Sequence, residues 1–236
     1  MVSSIPKWLG DLFESSLRPN MTVMAISFLS PQIKRVRLRG DLSKMNFQVG
    51  YACVVRVSET EYRNYTVAYY DMKESTLDII FHIHNKGVGS RYVENLETGD
   101  TIYVSEPRGK KLYDPAIKQQ LVFGDETSLG LACSFLPFLK QNQQQYRFYF
   151  ELAEENKDVP GLLGLENWTV FPKHGLFRNE KWINDLPFFK SPGWATAAFA
   201  LTGNVNSVQA FRKVLKNNTK GKIFSQGYWL EGKKGL

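Results

Sequence analysis

One break in pattern constrains this chain more than any other feature. Up to about Val104 the sequence runs in short segments rich in Val, Ile, Tyr and Phe: TVMAISF, IKRVRLRG, YACVVRV, NYTVAYYD, TLDIIFHIH and DTIYVSE, separated by polar or glycine-bearing turns. β-branched and aromatic runs this short and this often interrupted make antiparallel strands, and their number predicts a small Greek-key β-barrel. Beyond EPRGKKLYDPAIK the period changes. QQLVFGDETSLGLACSFLPFLK reads as a buried strand, a polar turn and a helix, and YRFYFELA, WTVFP and ATAAFALTG follow as parallel strands. NSVQAFRKVLKN puts Val208, Phe211, Val214 and Leu215 on one helical face, with Asn206 as its cap. A β + α/β chain is therefore expected, a barrel followed by a small doubly wound α/β domain. The expected division is an N-terminal helix over 1–20, a barrel over 21–115 and an α/β domain over 116–236 with a basic C-terminal tail. The helix rests on the spacing of Ile5, Trp8, Leu9, Leu12, Phe13 and Leu17, and residues 159–192 carry no assignable pattern.

Charge narrows the functional classes. The formal net charge is +7, yet residues 212–236 hold seven basic side chains against Glu231 alone, so the rest of the chain is nearly neutral. Cations confined to one end argue against a nucleic-acid-binding barrel, which needs them around stacking aromatics. The longest apolar run, residues 194–201, is far short of the ~20 residues of a membrane span. Asp11 and Glu14 interrupt the start of the chain where a signal peptide is apolar. Cys53 and Cys133 stand in apolar surroundings without a CxxC, so a reducing, cytoplasmic setting is expected, with neither membrane nor nucleic acid as partner.

Two clusters carry chemistry. In Arg63-Asn64-Tyr65-Thr66-Val67, alternation puts Arg63, Tyr65 and Val67 on one face, while Thr66 points the other way and offers its backbone amide at the strand edge. A guanidinium suits a phosphate because its planar fork is always charged. Gly87-Val88-Gly89-Ser90 follows a strand and opens a helix, where glycines admit a close ligand and exposed amides favour phosphate. On neighbouring elements of one barrel the two would clamp a pyrophosphate. His82 and His84 alternate on one strand, but no third ligand has suitable spacing for a metal. His174 reads as a loop residue, and Asp125-Glu126 as a polar strand-end turn rather than a general acid/base pair.

The order of these motifs resembles the ferredoxin reductase-type flavoproteins, and more narrowly the siderophore-interacting, FAD-binding ferric-chelate reductases. The resemblance runs through Arg63, Tyr65 and Thr66; Asp78 and His82; Gly87 to Ser90 with Tyr92; Gly99, Asp100, Pro107 and Gly109; Asp125, Glu126 and Thr127; and Gly227, Tyr228 and Trp229. It departs at Val88-Gly89, at Gly124 and at Gly203-Asn204, where the family often has Pro-Ala, Ala and Gly-Glu. It implies a barrel holding FAD and a domain for NADPH or NADH. By resemblance Arg63 contacts the pyrophosphate, Tyr65 packs on the flavin, and Thr66 bonds near its reactive nitrogen, so Tyr65 and Thr66 stand closest to the chemistry. Asn64, His82, Gly87, Val88, Gly89, Ser90 and Trp229 complete the FAD set. Gly124, Asp125, Glu126, Thr127, Gly203 and Asn204 would face the nicotinamide nucleotide. The implied acceptor is a ferric siderophore or other ferric chelate, the alternative a protein such as a ferredoxin or flavodoxin. The basic end, next to Tyr228 and Trp229, is expected to line the acceptor entrance.

Overall fold

Alternation decides the first half of the molecule. On β2 (Ile33–Gly40), Val36 and Leu38 are fully buried while Arg35, Arg37 and Arg39 reach outward, the period of two that a strand with one wet face requires. The computed structural model describes residues 20–84 and 87–233, in two compact units that divide between Lys110 and Lys111. The helix expected over 1–20 lies outside the described residues, Asn20 excepted.

In the first unit, β1 (Met21–Ser30), β2, β3 (Ala52–Arg56), β4 (Tyr62–Asp71), β5 (Thr76–His82) and β6 (Thr101–Ile102) pair antiparallel in the order β3-β4-β5-β2-β1-β6. The chain after β6 returns to the far edge of the sheet, where bridges from Val104 to Val55 and from Arg108 to Ala52 nearly close the barrel. Val23, Leu38, Val55, Ile79 and Phe81 fill its interior, each contributing roughly 1.5–3 kcal/mol by burial. Cys53 is among them; burial pushes its thiol up to about 12, which makes it unreactive. On the outer face Arg35 Nε and Arg37 Nε donate to Asp78 at 2.7 and 2.8 Å and cover it.

The helix that Gly87–Ser90 opens is α1 (Val88–Glu94). Its far end is fixed from β2. Lys34, 2% exposed, donates its ammonium to the carbonyls of Val93, Glu94 and Leu96 at 2.8, 3.1 and 2.8 Å. These are the orphan acceptors that every helix end leaves. Burial pulls this ammonium below the usual lysine range, with Asp100, Glu94 and Glu97 opposing the shift.

The second unit is a parallel sheet of β7 (Gln119–Gly124), β8 (Gln145–Leu152), β9 (Trp168–Pro172), β10 (Ala198–Asn204) and β11 (Lys222–Trp229), in the order β11-β10-β7-β8-β9. β10 is buried at every position, as a strand covered on both faces must be. α2 (Leu129–Gln141) follows β7. Apart from β9, the WTVFP strand expected from the sequence, the stretch 159–192 holds α3 (Val159–Leu162), α4 (Glu180–Asn184) and several 3₁₀ turns, each too short to set a period. α5 (Val205–Asn218) buries Val208, Phe211, Val214 and Leu215.

Two expectations are corrected. The cap of α5 is Asn204, not Asn206: its Oδ1 accepts from the amides of Asn206 and Ser207 at 2.9 and 3.4 Å. Much of the basic C-terminal tail is part of the folded unit: Arg212, Lys213 and Lys216 sit on α5 and Lys222 on the edge strand β11, whose half-buried positions tolerate the polar residues that hid it. Among the described residues no helix is long and apolar enough to cross a membrane, and no group of three or more His, Cys, Asp and Glu could hold a metal ion.

Replacing Lys34 with Met keeps the bulk and removes the donor from three buried carbonyls. The variant is expected to lose roughly 1–3 kcal/mol of stability in urea unfolding, and unchanged unfolding would refute this role for the amine.

Candidate functional site

β4 changes partner halfway along. Residues 62–66 pair with β3, whereas β5 takes over from Val67. Ala52 exchanges both backbone bonds with Arg108, and Val54 accepts from Ser105 while its amide meets the Ser105 hydroxyl. Thr66 and Asn64, which face Ala52 and Val54, are therefore the non-bonded members of the ladder, and their peptide groups point away from β3. The amide that the sequence placed at a strand edge is aimed outward from that edge.

The two phosphate-suited clusters meet. A Cβ built on Gly89 would lie 3.0 Å from Arg63 Cγ and 3.0 Å from Tyr65 Oη, so the first turn of α1 packs directly on the motif strand. A side chain here would make Arg63 or Tyr65 give way by a few tenths of an ångström, so glycine eases this approach. Gly87, at φ 86°, caps α1 without a side-chain hydrogen bond, and a Cβ there would meet nothing within 4 Å. Open space thus faces helix-start amides that have no side-chain cap. Ser90 is buried and its Oγ accepts from the His84 amide at 3.0 Å. The His82 and His84 rings stand 5.7 Å apart at the end of β5. Arg63 donates to the Tyr62 carbonyl at 2.8 Å and to Glu61 at 3.1 Å, leaving its side chain 21% exposed. Tyr65 packs edge-on against Phe81 at 4.6 Å, and burial pushes its hydroxyl up to about 12, with Arg63 opposing. A cation, uncapped helix-start amides, outward strand amides and a phenol ring on one side of the barrel fit a dinucleotide's pyrophosphate and the ring system joined to it.

The α/β unit carries its polar centre at the carboxyl end of β7. Asp125 accepts from the Thr127 amide at 2.9 Å, the Asn204 amide at 2.9 Å and Trp229 Nε1 at 2.7 Å. Complete burial raises its pKa, with the bonds from Thr127 and Trp229 opposing. Glu126, 2% exposed, turns the other way, to the Ala153 amide at 2.9 Å, Asn156 at 3.3 Å and Lys173 at 2.5 Å. Gly203 lies under Asp125 so closely that a Cβ would stand 2.5 Å from Oδ2. Ser128 accepts from the Thr202 hydroxyl at 2.8 Å, and a Cβ on Gly124 would meet it at 2.2 Å.

Above this floor a cleft of about 450 Å³ opens, reached by Gly124, Asp125, Asn204 and Trp229. Of the residues expected at the nicotinamide, Gly124, Asp125 and Asn204 line it, while Glu126, Thr127 and Gly203 act beneath it. Trp229, expected at FAD, is held here by Asp125, with the Lys173 ammonium 5.6 Å from its ring centre. The sequence reading missed Lys173, His174, Arg178 and Ser207, which also line the cleft. A signal existed, because Lys173-His174 directly follows the strand WTVFP and ligands of open α/β sheets bind past the carboxyl ends of strands. Glu151, buried on β8, braces this wall: its Oε1 accepts from the Phe177 amide at 3.3 Å. Burial raises its carboxyl, against the amides of Phe177, Leu176 and Gly175.

Comparison with known proteins agrees with this layout. Residues 43–111 match the family model described as the siderophore-interacting FAD-binding domain. Over 60 residues the chain is 35% identical to NADH-cytochrome b5 reductase 1 of Dictyostelium discoideum, a match spanning 25% of this chain and about a fifth, 21%, of that protein. The siderophore-interacting protein SipS from Aeromonas hydrophila superposes with a TM-score of 0.71 at 17% identity, over 91% of this chain and 99% of SipS. A siderophore utilization protein from T. fusca gives 0.72 at 21% identity, over 93% and 97%. Phthalate dioxygenase reductase, a modular structure for electron transfer from pyridine nucleotides to [2Fe-2S], gives 0.72 at 15% identity, over 91% and 68%. The fold is that of the ferredoxin reductase-like proteins, and residues 43–111 bear out the resemblance to siderophore-interacting FAD-binding proteins that the motifs carry.

Proposed function

We propose that the protein is an NAD(P)H-dependent FAD oxidoreductase whose electrons go to a ferric siderophore or other ferric chelate. One observation carries the reading: the Arg63–Thr66 strand and the Gly87–Ser90 helix start, far apart in sequence, are packed together through Gly89 in a domain that matches an FAD-binding family. FAD, when bound, supplies hydride acceptance from a nicotinamide and onward transfer of single electrons.

The chain's own residues hold and orient. Arg63 presents a cation to the pyrophosphate, and swinging from Glu61 to a phosphate exchanges a half-buried ion pair for a doubly hydrogen-bonded one. The amides of Val88 to Ser90 add donors without charge. The Tyr65 ring offers a flat face, its hydroxyl kept protonated by burial. The outward peptide of Thr66 offers a donor and an acceptor to the edge of a heterocycle. In the α/β unit, Lys173 and Arg178 are the cations of the cleft that a nucleotide's phosphates could engage, and Asn204 and Ser207 stand at the start of α5. Reduction of ferric to ferrous iron weakens its hold on hard oxygen ligands, so a chelate gives up its metal once reduced.

Incubated with FAD, the purified protein should gain flavin absorbance, and a colourless product ends the proposal. Arg63→Ala should weaken FAD binding about 10- to 100-fold by titration, the worth of one or two charge-assisted hydrogen bonds. Stopped-flow reoxidation of the NADPH-reduced protein should be faster with ferric siderophores than with a ferredoxin or flavodoxin; the reverse order would give the chain a protein acceptor instead.

A further inference from the structure

The cleft of the α/β unit contains groups whose arrangement the nucleotide reading does not by itself explain. Asn204 is 4% exposed, and its Oδ1 is spent on capping α5. Its Nδ2 is buried in the cleft wall with no hydrogen-bond partner. Buried donors are ordinarily satisfied, so this one awaits an acceptor from a ligand. In the same cleft, Arg178 follows the Gly175–Phe177 turn that Glu151 braces, and its Nη2 lies 3.1 Å from Glu231 Oε1. Glu231 reaches it because the chain doubles back after β11. The turn is closed by the Lys233 amide on the Leu230 carbonyl at 3.1 Å, with Gly232 at φ 74°, the conformation glycine supplies at the third place of a type II turn. Both side chains are partly exposed, 37% and 66%, so the pair can open without repacking the core.

We propose that Glu231 is a built-in competitor for the ligand's anionic group: its carboxylate occupies on Arg178 the place that a phosphate oxygen of the nucleotide takes. This rests on the nucleotide reading of the cleft. A carboxylate and a phosphate present the same acceptor geometry to a guanidinium, and only one of them can use a given edge of it. An exposed pair is weak, so Glu231 tunes affinity and does not block the site. Asn204 Nδ2 is the fixed donor of the cleft, and Arg178 is the donor whose partner is exchanged. The charge of Arg178 is thus partly cancelled until an anion arrives.

The test is calorimetric titration of the FAD-loaded, full-length protein with inorganic pyrophosphate, NADP⁺ and NAD⁺, in the wild type, Glu231→Gln, Arg178→Gln and the double variant. Glu231→Gln should bind pyrophosphate and NADP⁺ about 2- to 5-fold more tightly, and the gain should vanish in the Arg178→Gln background. A gain for NADP⁺ without one for NAD⁺ assigns Arg178 to the extra phosphate; a gain for both assigns it to the shared pyrophosphate. Either supports the competitor. Nucleotides that bind wild type and Glu231→Gln equally overturn it and leave the nucleotide reading standing. Tighter pyrophosphate with no nucleotide binding keeps the competitor and removes the nucleotide reading. Absence of binding by all three probes in every variant overturns both.

Discussion

The α/β unit depends on how two adjacent carboxylates are satisfied without water. Asp125 and Glu126 leave the central strand β7 in opposite directions. Asp125 takes donors from the ends of β10 and β11, Glu126 from the segments that follow β8 and β9. All four outer strands are thereby tied at their carboxyl ends to the middle one. Burying an ionised carboxylate costs several kcal/mol, and the cost is met only when hydrogen bonds replace the lost hydration. Each acid has several such partners here. Removing one leaves a buried carboxylate underpaired, so strand ends that would otherwise fray are held in one arrangement. The floor of the cleft is rigid for this reason, and the residues above it can be positioned by it.

The barrel solves a related problem with the opposite charge. α1 is only two turns long and could not hold its shape alone. Lys34 fastens its last carbonyls to β2, and Gly89 lets its first turn lie against Arg63 and Tyr65. Both ends of the helix are fixed to strands, and its uncapped amides therefore keep a constant distance from the guanidinium. Arg63 itself is less constrained. Its contact with Glu61 is a half-buried pair between residues two apart, at the start of β4.

Much of this was legible in the sequence, for identifiable reasons. The barrel strands alternate because one face is wet, and β7 and β10 read as continuous apolar runs because both faces are dry. The approach of Arg63-Tyr65 to Gly87–Ser90 could be expected, since both clusters suit a phosphate and fall on neighbouring elements of one small barrel. The misses share a cause: they concern residues whose role is set by distant chain. β11 has half-buried positions throughout and no periodic signal, so the charges flanking it dominated its reading. Asn204 and Asn206 are equally good caps by type, and only the end of β10 decides between them. Lys173 and Arg178 lie among 3₁₀ turns and a four- and a five-residue helix, too short for any period to place them at the cleft.

The net charge also changes meaning. Read linearly, the positive end looked like a solvated segment that attracts anions. In the folded unit Lys213 meets Glu180 at 2.8 Å and Lys222 meets Asp114 at 2.6 Å, each pairing with an acid from far back in the chain. Lys216 stands in the last turn of α5, where a cation complements the helix dipole. The excess of cations late in the sequence is thus partly the counterpart of acids placed earlier, and the segment's single acid, Glu231, is the one drawn back onto Arg178. A charge count along the chain measures which end the cations come from. Where they act is fixed by the parallel sheet, which brings the last strand beside β10 and sets its end at the same cleft as the residues that follow β9.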